Sequence, residues 1–391
     1  MTDSPDMLSF RYSGSAVVYR LFDVGYAIDL VRAQALLTAS AAANAHAEGR
    51  PERVRPVRGE AQALQILNPP ITVVLGSAPF VATPSAGAPE IPMASAELSA
   101  RIFDFGVISL RIRVPLGEGL PWEAFTAMGR RVEREPQLIA MAEQYLAQLA
   151  VRIAGAVERP QIAEVRENHT VFRVTRVVDD RGQPVEAEAL AGLDVVPLLL
   201  DEDRALSADA RRDLLPHRFS YYHDDLTILT WESALVVEPG EHDTDLQYVL
   251  EFANAQLLEL RYYDAILDAE LPRLYDAIEA ARRKRSVFPG RRFGGLLARL
   301  HTVVADTTEV VEQVENALKV TDDVYLARVY GAAMELFRGR AWRAGIDRKL
   351  AILRETYAML NDEAQASRSE TLEIAIVVLI VLETLMAWWR G

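Results

Sequence analysis

The sequence predicts an α+β protein: a ferredoxin-like (βαββαβ-type) sheet domain, then a long helical bundle or coiled coil that ends in a C-terminal transmembrane helix. Three observations carry this. In 103–114, Ile108, Leu110, Ile112 and Val114 alternate with Ser109, Arg111 and Arg113, the period of a half-buried strand. From Leu246 onward, apolar residues recur in steps of four and three, the spacing of a helical seam. Leu372–Trp389 is nearly free of charge over about 18 residues, or ~27 Å of helix, close to the hydrocarbon thickness of a bilayer.

Ala16–Phe22 is rich in β-formers, and Val24-Gly25 breaks it. Tyr26–Ser40 follows with Ile28, Val31 and Ala35 at helical spacing. Ile71–Gly76 reads as a short strand after Pro69-Pro70, and Ser77–Ser95, rich in Pro, Ala, Ser and Gly, reads as a surface loop. After the strand at 103–114, Pro121 opens one helical stretch and Pro136 a second that runs to about Val157. Thr170–Val178 closes the βαββαβ order. Further strands are expected at Val195–Leu200, Arg218–Tyr222 and Leu226–Val237.

At Glu238-Pro239-Gly240 the pattern becomes helical. The first seam is Leu246, Leu250, Ala253, Leu257, Leu260, then Asp264, then Leu267, Leu271, Leu274 and Ile278, with Pro272 expected to kink it. A second follows at Leu297, Leu300, Val304, Thr307, Val311, Val314 and Leu318, and a third helix is expected over 322–339. From about Gly345, one seam runs through Ile346, Leu350, Leu353, Tyr357, Leu360, Ala364, Ser367 and Thr371 and continues in phase into Ile374, Val378, Val381, Leu385 and Trp388. The expected organisation is an α+β domain over 1–240 with a loop at 77–95, a helical bundle over 241–371, and an anchor over 372–389.

In the tail, Ile374, Val378 and Val381 are the expected lipid-facing positions, Trp388 and Trp389 an interfacial aromatic belt and Arg390 a basic stop. Glu383 opposes insertion by roughly 2.5–3.5 kcal/mol, and the apolar run offsets it. The first residues, Met1-Thr-Asp-Ser-Pro-Asp-Met, lack the basic start and apolar core of a secretion signal. The expected location is therefore a cytoplasmic membrane, single-pass, with the N-terminal bulk in the cytoplasm.

Composition narrows the chemistry. The chain has 391 residues and no cysteine, so disulfides, thiolate metal sites and a Cys nucleophile are excluded. A net charge of −14 argues against nucleic acid as a partner. Lysine occurs only at 284, 319 and 349 while Arg and Ala abound, a bias of GC-rich bacterial genomes. His217, His223, Asp225 and His242 could supply metal ligands, although their spacing matches no ligand motif and His223-Asp224-Asp225 also reads as a turn. Arg282, Arg283, Lys284, Arg285, Arg291 and Arg292 form one basic patch, read as a solvated hairpin tip or as a contact for anionic headgroups or RNA. Phe288–Gly295 lacks P-loop spacing, and no nucleophile-elbow, zincin or dinucleotide motif occurs. No cofactor and no catalytic residue is expected. Asp264 in its apolar seam and Glu383 in the tail are buried-charge candidates suited to specifying register or partner.

Several segments resemble the required-for-meiotic-nuclear-division family, an uncharacterised family of bacteria, fungi and mitochondria. Over 321–389 the likeness includes Val324-Tyr325-Leu326, Trp342, Lys349-Leu350, Tyr357-Ala-Met-Leu360, Leu372-Glu373-Ile374, Leu379-Ile380 and Glu383. Leu257–Arg261, Leu267-Asp268 and Pro272 are similar to its middle segment, and Phe105–Ile108 to its early strand. The family's Ala-Gln-Ser stretch before the helices is missing, which makes this a divergent branch. The resemblance implies a membrane-anchored, non-enzymatic protein whose mitochondrial relatives sit in the inner membrane and support organellar translation as tethers. The expected function is a membrane-anchored scaffold or adaptor that forms homo-oligomers through its helices and holds an unknown protein partner. The alternative is a metal-binding protein or hydrolase using the His/Asp cluster at 217–245.

Overall fold

The computed structural model describes residues 10–48, 53–56, 64–66, 68–80, 94–190, 192–240, 245–283, 293–320 and 323–390. In chain order the first elements are β1 (Arg11–Asp23), β2 (Ala27–Ile28), α1 (Leu30–Glu48), β3 (Arg53–Pro56), β4 (Leu64–Ile66), β5 (Ile71–Phe80), β6 (Ala94–Ile102) and β7 (Val107–Leu120). Then come α2 (Trp122–Glu133), α3 (Pro136–Ile153), β8 (Val157–Glu158), β9 (Arg166–Val178), α4 (Val196–Leu199) and α5 (Ala208–Leu214). The strands β10 (His217–Phe219), β11 (Leu226–Leu229) and β12 (Ser233–Val237) precede α6 (Asp245–Arg283), α7 (Gly294–Ala317), β13 (Leu318–Val320), α8 (Val324–Leu336) and α9 (Gly339–Arg390).

The architecture is α+β, built on a larger sheet than the four strands of the βαββαβ order with the further strands expected at 195–200, 218–222 and 226–237. Nine strands form one mixed sheet in the order β10-β11-β12-β9-β1-β7-β6-β5-β3. All neighbours run antiparallel except β12 and β9, which pair in parallel. The excess arises in two places. β6 and a longer β5 flank the stretch read as a loop, of which 81–93 lie outside the described residues. The second place is 217–237, where the two strands expected at 218–222 and 226–237 form three, β10, β11 and β12, beside β9. Val195–Leu200, expected as a strand, forms the short helix α4, with Pro197 in its first turn.

One face of the sheet carries Ala16, Val18, Leu110, Ile112, Phe172 and Val174. It makes one apolar core with Phe125, Val132, Leu138, Leu146 and Leu149 of α2 and α3. The alternation in β7 that marks it in the sequence is the alternation of the two faces. The opposite face is different. It carries Tyr19, Ser109, Arg111, Glu167, His169 and Arg173, all buried.

Contact clustering divides the chain into two compact units: Met1–Glu259 with Gln313–Gly339, and Leu260–Glu312 with Arg340–Gly391. In the first, the opening half of α6 and α8 accompany the sheet. Asp323 caps α8, its carboxylate accepting from the Tyr325 and Leu326 amides at 2.8 and 3.0 Å. In the second, the rest of α6 and most of α7 and α9 form the helical part. α6 is continuous through Pro272, and α9 is a single helix of 52 residues.

The expected transmembrane anchor is corrected. Among the described residues, no helix is long and apolar enough to cross a membrane. The stretch without charge in the tail, from Ile374 to Leu382, is bounded by Glu373 and Glu383. It amounts to ~13 Å of helix against a hydrocarbon core of ~30 Å. The tail-anchored, single-pass placement in a cytoplasmic membrane falls with it, as do the lipid-facing roles given to Ile374, Val378 and Val381 and the belt of Trp388 and Trp389.

Candidate functional site

The feature that stands out in the second unit is the length of α9. Its apolar seam begins buried: Ile346, Leu350, Leu353, Leu360 and Ala364 are each covered. Arg354 reaches Thr308 of α7 at 3.1 Å, and Lys349 reaches Asp264 of α6, so α9 packs beside both helices. From Leu372 the helix goes on without cover. Ile374 is 64% exposed, Val378 50%, Leu385 55% and Trp388 81%. Glu373 and Glu383 are exposed too. Thr384 returns its hydroxyl to the Ile380 and Val381 carbonyls, 2.9 Å each, and so satisfies itself within the helix.

The polar break in the α6 seam is paired. The Asp264 carboxylate accepts from Lys349 Nζ at 2.7 Å, and the same ammonium reaches Asp268 at 2.6 Å and the Asp264 carbonyl at 3.2 Å. These hydrogen bonds raise the Lys349 pKa against the opposing pull of desolvation. Gly345 lets α9 come close here, because a Cβ at that position would stand 3.2 Å from the Asp264 oxygen.

In the first unit, the second face of the sheet meets α6 and α8 through buried polar groups. Arg101 of β6 forms an ion pair with Glu251 of α6, both almost fully enclosed, and its guanidinium lies 4.7 Å from the Tyr248 ring centroid. Asp23, at the end of β1, hydrogen-bonds Glu259 of α6 and accepts from the Gly25 amide at 3.0 Å. Burial pushes the Asp23 carboxyl up to about 7, and burial beside Asp23 raises Glu259 as well. His169 is fully enclosed, with Phe337, the residue that follows α8, edge-on at 6.0 Å, and burial lowers its pKa to about 4. Chemically this is a closed layer of charge between sheet and helices. It fixes α6 on the sheet.

A family description, "Uncharacterized protein MJ0711, N-terminal domain", matches residues 13–244, more than half of the chain. The chain belongs to the MJ0711 N-terminal domain family. The uncharacterized protein MJ0711 of Methanocaldococcus jannaschii is 24% identical over 194 residues, which cover 49% of this chain and 57% of that protein. The chain thus matches little more than half the length of that relative. No solved structure matches it. The MJ0711-type region takes in the whole nine-stranded sheet and ends where α6 begins, so the helices α6 to α9 lie beyond it.

The His/Asp candidates fall within the MJ0711-type region. His217 sits in β10, its ring stacked on Phe219. His223 lies exposed in the following turn. The Asp225 carboxylate accepts from the Tyr221 and Tyr222 amides at 2.7 and 3.1 Å, which is turn chemistry. His242 lies outside the described residues. Among the described residues, no group of three or more His, Asp or Glu gathers as a metal would need. Of the basic patch, Lys284, Arg285, Arg291 and Arg292 lie outside the described residues. Arg282 and Arg283 close α6, and Arg283 pairs with Glu279 one turn back.

The residues that sequence reasoning missed are Asp23, Arg101, Glu251, Glu259 and His169. The available signal was complementarity: Arg101 and Arg111 sit on strands that look half-exposed, and α6 carries Gln247, Glu251, Asn254 and Glu259 beside its apolar seam.

Proposed function

We propose that the chain is a non-enzymatic scaffold or adaptor that self-associates through its C-terminal helices. The observation that carries this is the bare stretch of α9, where a seam buried at Ile346, Leu350, Leu353, Leu360 and Ala364 is in phase with uncovered residues from Ile374 to Trp388. A helix with so much exposed apolar surface is stable in water when another surface covers it. The closed polar layer of the sheet domain is consistent with a structural rather than a chemical role. The likeness to the required-for-meiotic-nuclear-division family, read from Tyr357–Leu360, Leu372–Ile374 and Glu383, points the same way, towards a tether that holds another protein.

Light scattering of the purified full chain tests the reading. The native chain should weigh a multiple of 43.5 kDa at micromolar concentration. Val378→Glu with Leu385→Glu should reduce it to one chain while leaving its circular dichroism unchanged. A native chain that stays at single-chain mass overturns the proposal.

A further inference from the structure

The pattern of side chains on the bare part of α9 bears on how many copies meet and in which direction; this rests on the self-association just proposed. Counting by the four–three steps, Ile374, Val381 and Trp388 occupy the d positions of a heptad and Val378 and Leu385 the a positions. β-Branched residues at d disfavour two-stranded coils, and Leu at a with Ile at d favours three or four strands. The flanking positions are apolar as well: Val377 at g is 58% exposed and Leu382 at e 48%. A two-helix contact covers a and d alone and would leave both flanks in water. Packing among three or four helices covers e and g also.

The charges obey the same geometry. Glu373 falls at c and Glu383 at f, on the side of the helix away from the seam. That side also carries Ile376 at f, Leu379 at b and Ile380 at c. Each carboxylate can therefore stay in water while the seam is buried, which avoids the cost of enclosing an unpaired charge. Direction follows from continuity. The bare seam is the same seam that α9 already buries against α6 and α7, so each copy presents it beyond a bulky folded unit. Copies aligned in parallel keep those units side by side. An antiparallel pair would bring the tail of each against the folded body of the other.

We propose that the α9 tails of three or four copies of this chain pack in parallel and in register, with Ile374, Val378, Val381 and Leu385 inside and Glu373 and Glu383 facing solvent.

The chain contains no cysteine, so single thiols introduced into it report cleanly. Ile374→Cys and Leu385→Cys are made separately, and copper–phenanthroline supplies the oxidant that joins two thiols into a disulfide. In a parallel, in-register bundle, each variant alone gives covalent pairs. A mixture of the two gives pairs of like variants, with few joining 374 to 385. Light scattering of the native chain should read three- to fourfold the single-chain mass. A single-chain mass overturns this inference together with the proposed function. A twofold mass, a mass above fourfold, or crosslinks that form only between Ile374→Cys and Leu385→Cys overturn this inference and leave self-association standing.

Discussion

The two compact units bury charge in opposite ways. The first encloses ionised and titratable groups along a whole interface: Arg101 with Glu251, Asp23 with Glu259, His169 against Phe337, and Arg173 donating to the Gly240 carbonyl at 2.9 Å. The second places the ion group Asp264–Lys349–Asp268 at the edge of an apolar seam. The difference follows from what each surface must specify. An apolar seam on a helix is degenerate to a shift of one heptad, and a single polar pair removes the degeneracy. The sheet face mixes Val17, Leu21 and Val171 with Ser109, Arg111, Glu167 and His169, so α6 must match its polar groups one by one as well as pack on it. Loss of one group should therefore cost far more in the first unit than in the second.

The largest effect should come from Arg101→Met. It leaves the Glu251 carboxylate enclosed without its counterion, a loss of about 3–5 kcal/mol. Arg101→Met with Glu251→Leu removes both charges and should restore most of the stability, since an apolar pair of similar volume is often no worse than the buried ions. Urea unfolding followed by circular dichroism measures both. If the single variant costs less than about 1 kcal/mol, the polar layer does not hold α6 and the contrast collapses.

Next comes pH, through Asp23 and Glu259. A carboxyl whose pKa rises on folding keeps its proton in the folded chain at pH values where the unfolded chain has lost it. Its contribution is therefore full below the ordinary carboxylate range near 4 and is lost as pH rises through about 7. His169 acts in the opposite sense. Held at about 4 in the folded chain, it favours folding fully above 6.5 and loses that contribution as pH falls towards 4. Between pH 5 and pH 8 the native chain should lose on the order of 2–3 kcal/mol through Asp23. Asp23→Asn should flatten that loss, so that the variant gains on the native chain as pH rises. Melting curves at pH 5, 6, 7 and 8 decide it. An unchanged difference between variant and native chain across that range would show that the Asp23 carboxyl is not raised on folding.

How far the sequence discloses this contrast depends on the unit. The seams of α6 and α9 are legible because helical packing follows a fixed period: Leu257, Leu260, Leu350 and Leu353 are buried as their spacing requires. Asp264 is legible as an interruption, and its partner is one of three lysines. β7 is legible for the same kind of reason, with Ile108, Leu110 and Ile112 turned to the core. The opposite face of that strand is not, since Ser109 and Arg111 look like solvent-facing residues until a helix covers them. Sheet size is hidden too. Which strand lies beside which is a long-range choice, and β6 joins β5 to β7 from a stretch, 96–102, in which local composition marked no element. The tail was over-read. Its apolar character is real, but two carboxylates limit the uninterrupted run to about half the thickness an anchor needs.

The smallest effect should come from the pin between α6 and α9, and it should be unequal for its members. Lys349 touches two carboxylates, so Asp264→Ala leaves the ammonium its bond to Asp268. Lys349 also keeps access to water, with 18% of its side chain exposed. The expected cost is about 1 kcal/mol, the net worth of one hydrogen bond. Lys349→Met strips both carboxylates at once. Asp268 is 63% exposed and recovers its hydration, but Asp264 is 15% exposed and does not. The cost should rise to roughly 1–3 kcal/mol, the penalty for an enclosed acceptor left without its donor. The pin also has a pH signature. Because the folded pKa of Lys349 is raised, its contribution is full below 10.5 and is lost as pH climbs through the higher folded value. Urea unfolding of the two variants at pH 7 gives the ranking. Equal losses would mean that Asp268 is no partner of Lys349 in solution, and the pin would then be a simple pair with Asp264.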